Sequence, residues 1–123
     1  MRLELILPRV NATEFEKVSV CPHEDCQGRH FEHHQEVDKP LKDTKYRMVA
    51  AHRYRCLRCR RTFRVYPQGV TRAQTSQRVK GLAVMLYLLG LSYGAVALAL
   101  EALGVYMSKS SVYAAVQAAA EKV

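Results

Sequence analysis

Four cysteines carry the most specific chemistry in this 123-residue chain, and they come as two close pairs. Cys21 and Cys26 bracket four residues, Cys56 and Cys59 bracket two, and 29 residues separate the pairs. Two tight turns that each present two thiolates are a common way to build a tetrahedral zinc site. The spacing therefore predicts a structural Zn2+ held by Cys21, Cys26, Cys56 and Cys59; four thiolates accept iron as well. The same residues also allow two disulfides, free core thiols or a redox Cys-x2-Cys. Disulfides need an oxidising compartment. The Leu/Ile run after Met1 is interrupted by Glu4 and Pro8 and makes no secretory leader, so the expected location is cytoplasmic. A thioredoxin-like redox pair sits in a βαβ pattern that is missing here. His23, inside the first cysteine turn, and His30, four positions after Cys26, are alternative ligands. A closed four-thiolate site needs neither, and leaves the histidines as surface residues.

The elements that must present these turns read as short strands. Residues 2–7 alternate weakly, and residues 14–20 alternate again and run into Cys21-Pro22, where proline fixes φ for the turn. Residues 23–45 are polar and read as a loop with at most one short strand. Residues 46–55 and 60–66 are rich in aromatic and β-branched side chains and predict a hairpin whose turn is Cys56 to Cys59. Pro67-Gln68-Gly69 then punctuates the chain. The fold class expected is α+β, a β-rich zinc ribbon over residues 1–67 followed by a three-helix helix-turn-helix unit over 70–123.

Residues 71–123 contain no cysteine, histidine or proline. The first helix is expected from Thr71 or Thr75, with Val79, Leu82, Ala83, Leu86 and Leu89 on one face. Met85, Tyr87 and Leu88 fall outside that stripe, which points to packing on a second copy or on a missing domain. Ser92 reads as an N-cap for a second helix over Tyr93–Leu103, with Gly104 just past its end. Ser108 reads as the cap of a third helix from Lys109 to about Lys122. Ala99, Leu103, Val105, Val112, Val116 and Ala119 are the expected core. Residues 81–100 carry no charge and follow Arg78 and Lys80, as a membrane span would. The Gly90-Leu91-Ser92 break argues against a span and for two helices.

Charge divides the chain. Residues 1–43 hold 6 Lys/Arg and 9 Asp/Glu, whereas residues 44–123 hold 13 and 2; the whole carries a formal +8. From Lys45 to Arg64 there are eight basic residues and no acid. A run of this kind fits a polyanionic partner, nucleic acid ahead of a membrane surface. Arg53, Arg55, Arg58, Arg60, Arg61 and Arg64 would grip phosphate, whose oxygens match the guanidinium fork. Tyr54 and Tyr66 either stack at that surface or pack the ribbon.

Three pieces in this order resemble the N-terminal DNA-binding region of bacterial insertion-sequence transposases. They are Cys21-Pro22 with Cys26; the run from His52 through Cys56-Leu57-Arg58-Cys59 to Phe63; and Gly90-Leu91-Ser92-Tyr93 with Leu103-Gly104-Val105 and Ser108 to Tyr113. Together they cover most of residues 21–118. The resemblance implies double-stranded DNA as partner, with the third helix in the major groove and Lys109, Ser110, Ser111, Tyr113 and Gln117 toward the bases. Gln117 would pair with an adenine edge and Lys109 with guanine or phosphate. Two features depart from the family. The turn between Gly104 and Val112 is longer than in the compact motif. After Asp43 the only acids are Glu101 and Glu121, too few for the Mg2+-binding carboxylates of strand transfer. The chain is thus expected to be no enzyme, but an accessory protein or a piece of a longer transposase. The different-class alternative is a zinc-scaffolded interaction module that dimerises or docks through its apolar helices.

Overall fold

The structure, a computed structural model, describes residues 7–121. These residues are α+β and form five strands followed by three helices. The strands are β1 (Asn11–Phe15), β2 (Phe31–Pro40), β3 (Met48–Cys56), β4 (Thr62–Val65) and β5 (Pro67–Gln68). β2, β3 and β4 form one antiparallel sheet in that order, and β1 pairs with β5 in a second.

The expected strand over residues 2–7 falls almost wholly outside the described residues, and Leu7 itself is not in a strand. The strand expected over 14–20 is displaced: β1 starts at Asn11 and ends at Phe15, and the chain is irregular up to Cys21. The Asn11 side chain starts it, accepting from the Thr13 N–H and hydroxyl at 3.1 and 2.9 Å. The larger correction is β2. The polar stretch, expected to be a loop with at most one short strand, contains the longest strand of the sheet, ten residues paired along nearly the whole of β3. β2 is an edge strand with most side chains in solvent. Charged residues suit such an edge because they blunt edge-to-edge association. The hairpin β3–β4 forms as expected, with Arg55 opposite Thr62 and His52 opposite Val65.

The helices are α1 (Gln77–Leu88), α2 (Tyr93–Ala102) and α3 (Lys109–Glu121). Ser76, not Thr71 or Thr75, caps α1; its hydroxyl accepts from Val79 N–H at 3.2 Å. Ser92 and Ser108 cap α2 and α3 as expected, through the N–H groups of Ala95 and Ser111. Each helix buries one i, i+4 pair: Val79 and Ala83, Val96 and Leu100, Val112 and Val116. Residues so spaced lie one turn apart on one face. Val105 and Met107, from the turn between α2 and α3, complete this core. Leu103 and Leu89, expected inside, are exposed, and Ala99 and Ala119 are only half-buried. The uncharged run 81–100 is split between α1 and α2. Among the described residues no helix is long and apolar enough to cross a membrane.

The sheets and the helices are tied together at Asp43. Its buried carboxylate accepts from the Ser76 hydroxyl at 2.7 Å, from Arg78 Nε at 3.1 Å, and from the Lys45 and Tyr46 N–H groups at 3.0 and 3.1 Å. Lys42 exchanges backbone hydrogen bonds with Gln74 and Ser76 beside it. Lys39 of β2 adds a second tie: its ammonium donates to the Arg72 carbonyl at 3.0 Å and lies over the Tyr66 ring.

Candidate functional site

The two cysteine turns are built from backbone bonds before any metal is considered. Cys21 N–H donates to the Gly28 carbonyl and Cys26 N–H to that of His23. In the second turn Cys56 N–H donates to Arg61 and Arg60 N–H to Cys56. Arg60 closes this turn in the left-handed region, at φ +62°. Leu57 N–H donates to the His30 carbonyl and so docks one turn on the other. Gly28 stands where the two meet. A Cβ there would lie 2.6 Å from the Cys56 sulfur and 3.0 Å from Arg58 Cβ.

The four cysteines are thereby brought together, their sulfurs all within 4.8 Å of one another. Cys21 Sγ lies 3.9 Å from Cys59 Sγ and Cys26 Sγ lies 3.7 Å from Cys56 Sγ. Zinc bonds of about 2.3 Å in a tetrahedron put neighbouring sulfurs about 3.8 Å apart, so the spacing fits a four-thiolate ion. It is far beyond a sulfur–sulfur bond of about 2.05 Å, and all four thiols are free. Cys21, Cys26 and Cys56 are buried, Cys59 half-buried, and Phe31 and Phe63 pack edge to face beside them. The thiols are unequal. Burial pushes Cys21 up to about 12. The Arg61 N–H draws Cys59 down to about 6, and the Cys59 N–H lowers Cys56. N–H groups aimed at sulfur favour the thiolate, the form that binds metal. His23 stands outside this cluster; its Nε2 lies 3.2 Å from the Thr62 carbonyl oxygen. His30 contributes its backbone carbonyl, and its side chain is exposed.

The six hairpin arginines do not form one open patch. In β2 and β3 directly opposed residues share a face, so Glu32 sits beside Arg55, their charged atoms 3.9 Å apart. Asp25 of the first cysteine turn pairs with Arg61. Arg53 is half-buried and donates to the Thr62 hydroxyl at 3.1 Å. Arg58, Arg60 and Arg64 remain exposed. Sequence reasoning counted charge along the chain and so missed that the acidic half pairs across the sheet with the basic one. Tyr54 packs against Phe63 and His33, and the Tyr66 ring lies under Lys39.

On α3 the side chains of Lys109, Ser110, Ser111, Tyr113 and Gln117 are all exposed, but they do not share one face: Lys109, in the first turn, lies close to the direction of Val116, and Ser111 lines the groove beside α1. Lys109, Tyr113 and Gln117 follow at i, i+4 and i+8, one stripe along the helix. Tyr113 meets the edge of Tyr93, which stacks on Tyr87 with ring centroids 4.9 Å apart. The Tyr87 hydroxyl and burial raise the Tyr93 phenol. The Ser110 and Ser111 hydroxyls belong to the capping network of Ser108.

Comparison with family models, with curated proteins and with solved structures finds no match to this chain.

Proposed function

We propose that this chain is a DNA-binding module in which a zinc-stapled β unit and a helix-turn-helix act together on the ends of mobile-element DNA. The observation that carries the reading is the α2–turn–α3 unit. It is held by a buried core, and α3 leaves Lys109, Tyr113 and Gln117 in one exposed stripe. A helix of this kind enters the major groove with its first turns toward base edges. Arg58, Arg60 and Arg64 supply phosphate contacts; Arg55 and Arg61, already neutralised by acids, contribute less. Zinc is the ion assigned to the four cysteines, since a closed thiolate site of this size serves structure. Strand cleavage and joining are left to a separate catalytic unit. From Asp43 onward the acids are dispersed: Asp43 is buried against Arg78, and Glu101 and Glu121 stand on separate helices. The cytoplasm is the compartment that suits free thiols.

The test is duplex binding across a salt series, with and without a chelator, on protein of measured metal content. About one zinc per chain, binding lost on chelation, and affinity falling linearly in log–log form with salt would support the reading. Zinc at full content with no binding to any duplex would overturn it.

A second reading has its own observation. Leu88, Leu89, Leu98 and Leu103 are exposed, and a groove of about 740 Å³ runs between α1 and α3, lined by Gly81, Val84, Met85, Ala114 and Ala118. These surfaces suit a protein partner or a second copy. A monomer in sedimentation that still binds duplex DNA counts against that alternative.

A further inference from the structure

Outside the four-cysteine cluster, a second group of metal-ligating side chains lies on the aromatic face of the three-stranded sheet. His33, Glu36 and His52 each bring one ligand atom, and the three atoms lie within 4.8 Å of one another. Side chains of a regular strand alternate between faces, so residues 33 and 36 would point to opposite sides. The register of β2 shifts between His33 and Gln35. His33 is opposite Tyr54 and Glu36 opposite His52, two positions apart on one face of β3. The extra residue, His34, thus returns His33 to the face of Glu36. Re-aiming a side chain is a frequent use of a β-bulge.

His52 is the fixed member. Its ring packs on Phe15, centroids 4.1 Å apart, and edge-on to His33 at 5.4 Å. Its Nδ1 is buried and has no hydrogen-bond partner among the described residues, and the Glu36 carboxylate stands off at 3.5 Å. An ion placed between them would satisfy that nitrogen. His33 and Glu36 are exposed and can close the remaining distance by side-chain rotation. Ligand atoms on a tetrahedral ion of this type are about 3.4 Å apart, given bonds of about 2.0–2.2 Å.

We propose that His33, Glu36 and His52 form a second metal site that takes a divalent transition ion such as Zn2+. Two imidazoles and one carboxylate favour such an ion over Mg2+ or Ca2+. Three protein ligands leave a coordination position for water, unlike the closed thiolate site. The ion clamps β2 to β3 where the bulge interrupts their ladder.

The experiment titrates Zn2+ into the full chain already carrying its cysteine-bound equivalent, by calorimetry, and follows the imidazole resonances of His33 and His52. The expected result is a further equivalent that shifts both rings. His33→Gln and Glu36→Gln, both exposed, should each weaken it by at least about tenfold while the first equivalent is kept. No further equivalent, or one whose affinity is unchanged in both variants, overturns the proposal. Failure of the four-cysteine reading would show separately, as absence of the first equivalent.

Discussion

At Asp43 four donor groups converge on one buried carboxylate, from the β2–β3 loop and from the start of α1. Burial pushes this carboxyl up, but Arg78, Ser76 and the two N–H groups outweigh it and hold it well below the usual carboxylate range. Its folded pKa is therefore depressed below an unfolded value of about 3.9. The stabilisation is fully present above about pH 4 and is lost as pH falls further. Asp43→Ala should cost about 3 kcal/mol in urea unfolding at pH 7, because it leaves the Arg78 charge without its partner. The same variant should flatten the acid limb of the stability profile. A second residue-scale expectation concerns Gly28. Its missing Cβ leaves room for the Cys56 sulfur. If the four thiols hold zinc as proposed, Gly28→Ala should weaken its binding by about tenfold or more, read by competition with a chelator, since a displaced ligand acts as a damaged one.

The elements were legible in proportion to how much of their stability is local. α2 and α3 are announced by Ser92, Gly104 and Ser108, which satisfy helix ends with their own atoms. Gly104 sits at φ +83°, and the N–H groups of Gly104 and Val105 return to the Glu101 and Leu100 carbonyls. A Cβ at Gly104 would touch nothing within 4 Å, so any penalty is backbone strain alone. Gly104→Ala should cost about 1 kcal/mol in thermal or urea unfolding and leave the metal content unchanged. β2 is the opposite case. Phe31-Glu-His-His-Gln-Glu-Val-Asp-Lys-Pro40 has neither alternation nor β-propensity, and its strand state comes from its partner β3. α1 lies between the two. Its stripe was visible, but its start was not, because Ser76 is selected over Thr75 by the hydrogen bond to Asp43, 33 residues away.

Across the whole molecule, charge is arranged by strand pairing rather than by order along the chain. Glu32 and Asp25 neutralise Arg55 and Arg61, whereas Arg58, Arg60 and Arg64 face solvent with no acid in ion-pair distance among the described residues. If DNA is the partner, replacing those three together by Ala should lower the salt slope of duplex binding by up to about 2.7, at about 0.9 for each phosphate no longer neutralised. Replacing Arg55 and Arg61 should change the slope by less, since each gives up an intramolecular partner as well. Equal effects from the two sets would mean that the ion pairs open on binding.

Cysteine spacing, helix caps and the β3–β4 hairpin could be read along the chain because each rests on residues a few positions apart. The meeting of Cys21 and Cys26 with Cys56 and Cys59 follows from thiolate chemistry, and the folded chain brings the four sulfurs within 4.8 Å of one another. The identity of β2, the Asp43 clamp, the pairing of acids with arginines and the gathering of His33, Glu36 and His52 had no local signal. Each depends on which strand lies beside which, and in what register. A single-residue shift at the β2 bulge decides which side of the sheet His33 faces. Such long-range pairing leaves no periodicity in a polar edge strand, because water, not a core, receives most of its side chains.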